Sequence, residues 1–189
     1  MKRINIVGSS GSGKTTFGRQ LSEALGIQYI EMDAIYWGKN WTQPTDETLF
    51  AKLSKALEPD AWVLDGNYTR TVPIKWAKVD TVIWLDYPFL RTLRQSVQRA
   101  IVRSWSQEEL WPGTGNRESL TKSFFSKESI ILWMLTHYQK NITKYENYMK
   151  SPDYRHVNFI RLKSPKEAEA FIAGIREKQL GNPLLSSNV

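Results

Sequence analysis

The chain has 189 residues, 41% hydrophobic and 24% charged, a balance that suits one globular domain around a single core. Its 26 basic and 19 acidic residues give a net charge of +7 and a pI near 9.5, so an anionic partner is expected. Cysteine is absent, which excludes disulfides and thiolate catalysis, and with only His137 and His156 besides, a His/Cys metal site is argued against. No apolar stretch approaches the roughly 20 residues of a membrane span. The basic start Met1-Lys2-Arg3 leads into too short an apolar run for a signal peptide. A cytoplasmic protein with no membrane partner is expected.

In chain order, residues Ile4 to Val7 form a short apolar run that predicts a buried strand. Gly8-Ser9-Ser10-Gly11-Ser12-Gly13-Lys14-Thr15 then fits G-x-x-x-x-G-K-[ST] in full. Glycines in such a loop let successive backbone N–H groups converge on phosphate oxygens, and the next helix adds the positive end of its dipole. That helix is predicted over Lys14 to Leu25, with Phe17, Leu21 and Leu25 four residues apart and Gly26 closing it. The loop and Thr16 are assigned to ATP. Lys14 is expected on the β- and γ-phosphates, where it takes part in catalysis, and Thr15 on Mg²⁺.

Ile27 to Met32 reads as a second strand with Asp33 directly behind it, and residues 33–60 as a mostly helical insertion. Ala61 to Leu64 and Thr81 to Leu85 are further strands, ending in Asp65 and Asp86. Arg91, Arg94, Arg99, Arg103 and Arg117 crowd one region, as in a phosphate-handling segment. Arg99 and Arg103 share one helical face, opposite a stripe of Leu93, Val97 and Ile101. Residues 105–127, polar and broken by Pro112-Gly113 and Gly115, are where a mobile lid is expected. His156 to Leu162 reads as a fifth strand and Ser164 to Lys178 as a last helix opened by Pro165. Strands alternating with helices predict an α/β domain over residues 1–180, a doubly wound five-stranded parallel sheet, with a flexible tail over 181–189.

The spacing from Lys14 to Asp33 resembles that of small-molecule and nucleotide kinases, in which an aspartate after the second strand faces the acceptor. Asp65-Gly66-Asn67-Tyr68-Thr69-Arg70-Thr71 is similar to the adenylate kinase segment Asp-Gly-Phe-Pro-Arg-Thr, with one extra residue before Arg70 and no proline. Arg99-Ala100-Ile101-Val102-Arg103 resembles the arginine pair where the adenylate kinase lid begins. The string Met32-Asp33-Ala34-Ile35-Tyr36-Trp37, with Trp41 and Asp65-Gly66-Asn67-Tyr68, resembles the bacterial DNA topology modulation proteins, which are adenylate kinase-like in fold.

The resemblance implies a P-loop nucleoside triphosphate hydrolase fold of the nucleotide-kinase type. It implies Mg²⁺ on Thr15 and Asp65, adenine against Arg99 and the Pro165 loop, and Arg103 on the transferring phosphate. It also implies an acceptor held by Asp33 and Arg70. Trp37 either lines the acceptor pocket or belongs to the core, and Asp33 either addresses the acceptor or caps the next helix. Asp86 is the weaker magnesium candidate.

An acceptor hydroxyl needs a base, for which Asp33 is the one well-placed residue; an acceptor phosphate needs arginines instead. The sequence slightly favours a nucleotide- or nucleoside-like small-molecule acceptor. The rival reading is a nucleotide-dependent DNA-binding regulator without kinase turnover. The sequence carries no C₂H₂ pattern, basic zipper or clear recognition helix, so any DNA binding is expected to be weak and non-specific.

Overall fold

The computed structural model describes residues 1–119 and 130–181. Five strands, β1 (Arg3–Gly8), β2 (Gln28–Glu31), β3 (Trp62–Asp65), β4 (Thr81–Leu85) and β5 (Asn158–Leu162), form one sheet in the order β2-β3-β1-β4-β5. Every pair is parallel. The helices are α1 (Lys14–Leu25), α2 (Met32–Tyr36), α3 (Asp46–Ala56), α4 (Val72–Trp76), α5 (Phe89–Ser106), α6 (Ile130–Lys150) and α7 (Pro165–Leu180). Met32, expected in the second strand, instead opens α2, which puts Asp33 in a helical first turn. The tail beyond residue 181 lies outside the described residues.

Strand alternation sends neighbouring residues to opposite faces. Ile4 and Ile6 of β1 join Phe17 and Leu21 of α1 and Ala168 and Ile172 of α7 in one core. Val7, Leu64 and Trp84 face the other way, against Leu49 and Leu53 of α3, Trp76 of α4 and Tyr145 of α6. Both faces of the sheet are covered, as parallel sheets require. Register places Asp65 beside Ile6 and Leu85 beside Gly8, so β1, β3 and β4 empty onto one edge together.

The buried face of α5 differs from the expected stripe. Thr92, Ser96, Ala100 and Ser104 are inside, while Ile101 is 46% exposed. The reason is steric. This helix packs against the loop after β1, and so close an approach admits only small side chains.

A polar seam underlies the same edge. Asn5 Nδ2 donates to Leu64 O at 3.0 Å and to Gly66 O at 3.3 Å, and Trp76 Nε1 donates to Asn5 Oδ1 at 2.9 Å. Lys75 is fully buried and donates from Nζ to Gly66 O at 3.0 Å. Burial first, and Lys144 second, lower its pKa to about 7, with Asp65 opposing. The unfolded chain holds this proton up to about 10.5, so it binds more protons than the folded chain between pH 7 and 10, and stability rises across that window. Replacing Lys75 with Met is expected to flatten the rise, by on the order of a few kcal/mol. Urea melts at pH 7 and pH 10 check this; equal pH slopes in the two proteins would contradict it.

Candidate active site

The loop that leaves β1 is held by its neighbours as much as by its own sequence. Gly8 lies at φ 152°, and a Cβ there would stand 2.6 Å from Leu85 O. Gly11 lies at φ 76°, and a Cβ there would overlap Ser96 Oγ and stand 2.7 Å from Thr92 O. The α5 helix therefore rests directly on the loop. Ser96 Oγ donates to Ser10 O at 3.0 Å, and Arg99 Nη2 donates to Ser10 Oγ at 3.0 Å. On the other side Asn67 grips Gly8 twice: its Oδ1 accepts from Gly8 N–H at 3.0 Å and its Nδ2 donates to Gly8 O. Tyr145 OH donates to the same Oδ1 at 3.1 Å.

The charges converge behind this loop. Lys14 Nζ, half-buried, donates to Ser9 O at 3.1 Å. Burial lowers its pKa, the carboxylates of Asp65 and Asp33 push it back up, and Arg99 adds a further depression. Thr15 Oγ1 donates to Asp65 Oδ2 at 2.7 Å, and Tyr29 OH donates to the same oxygen at 3.2 Å. Asp65 is buried, so desolvation raises its pKa against the pull of Lys14 and Thr15. Its Oδ1 is buried with no hydrogen-bond partner among the described residues. A buried oxygen with no donor beside a threonine hydroxyl fits a hard, oxygen-seeking cation. Among the described residues no group of three His, Cys, Asp or Glu could hold a metal unaided, so magnesium would have to share its ligands with phosphates.

The residues expected to hold the acceptor gather beyond the end of β2. Asp33 is exposed, and its Oδ1 accepts from Tyr68 OH at 2.7 Å. Burial and the Asp33 charge keep the Tyr68 phenol protonated well above its ordinary range. Arg70 pairs with Asp46 at 2.8 Å and lies over the Tyr36 ring at 5.1 Å. Tyr68, Tyr36, Trp37, Trp41 and Trp111 then follow one another with centroid separations of 4.6, 4.8, 5.4 and 5.9 Å. Trp111 comes from the stretch expected to form the lid, and its Nε1 donates to Glu31 Oε1 at 3.1 Å.

Arg103 shares the face of Arg99 and pairs with Glu118 at 3.1 Å. Arg91 and Arg94 are exposed. The α5 helix runs to Ser106, later than the expected lid start, and residues 120–127 of that lid lie outside the described residues. Pro165 opens α7 at the same sheet edge, behind Ser164, whose Oγ accepts from Glu167 N–H at 3.2 Å. Thr16 is exposed in the first turn of α1. Asp86 is committed elsewhere: Arg161 binds it through Nε at 2.8 Å and Nη2 at 2.6 Å.

Sequence reasoning singled out Asp65 but passed over Tyr29, Asn67 and Tyr68 as functional residues. The string Asp65-Gly66-Asn67-Tyr68 carried the signal for two of them. Tyr29 carried none, being one aromatic in a strand.

Three comparisons bear on this geometry. The family model described as shikimate kinase matches residues 10–52. The shikimate kinase of Synechococcus elongatus is 33% identical over 106 residues, covering 48% of this chain and 55% of that protein. That of Thermosynechococcus vestitus is 27% identical over 125 residues, covering 56% and 67%. The chain thus spans about half the length of the first of these relatives. Two solved structures share the fold. One is shikimate kinase from Acinetobacter baumannii in complex with shikimate, with a TM-score of 0.52 at 17% identity over 97% of this chain and 96% of that one. The other is shikimate kinase from Aquifex aeolicus, with a TM-score of 0.50 at 16% identity over 95% and 99%. The five-stranded parallel sheet with helices on both faces is a P-loop kinase fold.

Proposed function

We propose that this chain is an ATP-dependent kinase that moves the γ-phosphoryl group to a hydroxyl of a small acceptor. One observation carries the reading: at the loop after β1, Lys14 bonds Ser9 O, Thr15 bonds Asp65 and Arg99 bonds Ser10, so two cations and a cation-seeking carboxylate surround one phosphate-sized turn. The partial match to shikimate kinases supports the reaction class. The loop amides and Lys14 hold the triphosphate, and Arg99 and Arg103 bring positive charge from α5. Thr15 and Asp65 would hold magnesium, which when bound neutralises phosphate charge.

Asp33 takes the acceptor's hydroxyl proton as that oxygen attacks the γ-phosphorus, and the bond to the β,γ-bridging oxygen breaks to release ADP. Tyr68 holds the carboxylate in position meanwhile. Catalysis is otherwise placement and charge neutralisation. The exposed Asp33 carboxylate, held by Tyr68 at 2.7 Å, supports a hydroxyl over a phosphate acceptor, because a negative group suits a proton to be taken and opposes a phosphate. The adenylate kinase-like assignments, adenine against Arg99 and the Pro165 loop, belong to the same proposal.

Of the nucleotide- or nucleoside-like acceptors favoured by the sequence, the nucleoside-like one draws support from the aromatic run, whose rings other than Tyr36 are half-buried and suit a flat or cyclic molecule. A panel of shikimate, other cyclic polyols, nucleosides and nucleoside monophosphates, offered with γ-labelled ATP and Mg²⁺, tests the acceptor class. Transfer to a carbon-borne hydroxyl supports the proposal. Transfer only to the phosphate of a monophosphate overturns it.

The likeness to DNA topology modulation proteins rests on Met32 to Trp37, Trp41 and Asp65 to Tyr68, which here surround the candidate site. The positive charge is assigned to nucleotide. Duplex DNA is accordingly expected to bind weakly, without sequence preference and with a steep loss on adding salt. Fluorescence anisotropy across a salt series checks this; salt-resistant binding to one sequence would favour the regulator instead.

A further inference from the structure

Residues 107–119 lie across the turn at 38–41, and the contact is built around one side chain. Asn116 is fully buried. Its Nδ2 donates to Gly38 O at 2.9 Å, and its Oδ1 accepts from Trp41 N–H at 2.7 Å. Asn40 N–H donates to Thr114 O at 3.0 Å. The turn held in this way is an unusual one. Asn40 and Trp41 are both left-handed, at φ 52° and 60°. Single asparagines visit that region, but a bulky tryptophan following one there is an outlier.

The same stretch reaches back to the nucleotide side. Glu118, two residues on, pairs with Arg103 of α5, and one helical turn earlier Arg99 holds Ser10 of the loop. Asn116 thus stands between the half that carries the phosphate loop and the half that carries Asp33.

We propose that Asn116 is a positioning residue for the acceptor side, its carboxamide latching residues 38–41 in the strained conformation that keeps Trp37 and Trp41 in the aromatic run beside Asp33. This rests on reading residues 32–41 as the acceptor-binding part of a kinase. An asparagine that merely fills space would sit against a turn stable by itself. Here the turn has bonds of its own, Gly38 N–H to Thr42 O at 2.9 Å and Thr42 N–H to Lys39 O at 3.1 Å, but they leave Gly38 O and Trp41 N–H to Asn116. Without the carboxamide those two groups lose their partners beside two left-handed residues, so the turn loosens and the run of rings breaks at Trp41.

Hydrogen exchange of the whole chain, with Mg²⁺ and a non-hydrolysable ATP analogue as the probe, tests the latch without needing turnover or an acceptor. In Asn116→Ala, the amides of residues 38–42 are expected to exchange about tenfold faster, the worth of one hydrogen bond. Exchange in β1 and the affinity for the analogue stay as in the wild type. Adding Asn40→Gly, which enters the left-handed region without strain, restores part of the protection. In the otherwise wild-type chain Asn40→Gly leaves the melting temperature unchanged or higher, whereas glycine in an unstrained turn lowers it.

Unchanged exchange at 38–42, loss of protection spread equally over β1, or a lower melting temperature in the single glycine variant each overturns the latch. A chain that shows these local effects yet transfers no phosphate overturns the kinase reading and leaves the latch standing.

Discussion

Replacing Asp33 with Asn is expected to cut phosphoryl transfer by ~10²–10⁴-fold, the range for losing a general base. The change keeps the side chain's shape and removes its negative charge and proton affinity. Tyr68 OH still finds an oxygen, so the turn at Met32–Tyr36 stays in place. Binding of Mg·ATP is expected to stay nearly intact, because the loop, Lys14, Thr15 and Asp65 are untouched. Asp65→Asn acts on the other substrate. The carboxylate that takes the Thr15 hydroxyl at 2.7 Å would become a poorer cation ligand, and activity would need more Mg²⁺. Steady-state kinetics at several Mg²⁺ concentrations separate the two acids. Normal turnover in Asp33→Asn, or a loss confined to Mg·ATP affinity, would contradict the assignment.

Lys14→Ala carries the second large effect. The amine lies half-buried among loop carbonyls and carboxylates, with Ser9 O as its hydrogen-bond acceptor. Burial disfavours its charge there while Asp65 and Asp33 favour it, so the amine stands ready as a desolvated cation for an arriving phosphate. Losing such a cation costs about 10²–10³-fold in rate, as loss of one preorganised donor to transition-state charge does, and ATP affinity falls with it. The fold is expected to persist, because the packing of α1 rests on Phe17 and Leu21. Calorimetric titration with ATP and a thermal melt check both halves. Undiminished ATP binding and turnover in a folded variant would contradict the role.

The sheet and the glycine-bearing loop after β1 were legible because each rests on a short-range rule. Apolar runs of strand length, glycines at fixed offsets and a helix closed by Gly26 all act within a few residues. The observed edges differ by a residue or two, most usefully at Met32, where β2 gives way to a helix and Asp33 gains Tyr68 as partner. The face of α5 was misread because period alone cannot say what a helix packs against. Leu93, Val97 and Ile101 made the better apolar stripe, yet the loop at Gly11 required Ser96 and Thr92 inward.

Contacts across long sequence separations were the least legible. Asn67 on Gly8, Tyr29 on Asp65 and Asn116 on Gly38 are side chains meeting partners 36 to 78 residues away. Trp37, left between pocket and core by the sequence, packs half-buried against the core that holds Trp62 and Trp76 and also meets Trp41, which meets Trp111 in turn.

The most direct measurement follows the label from γ-labelled ATP in the presence of Mg²⁺, wild-type chain and the panel of hydroxyl acceptors. The account predicts a labelled phosphate ester whose formation drops steeply in both Lys14→Ala and Asp33→Asn. Label that stays in ATP, or leaves it only as inorganic phosphate with every acceptor offered, would contradict the proposal that this site is a kinase's.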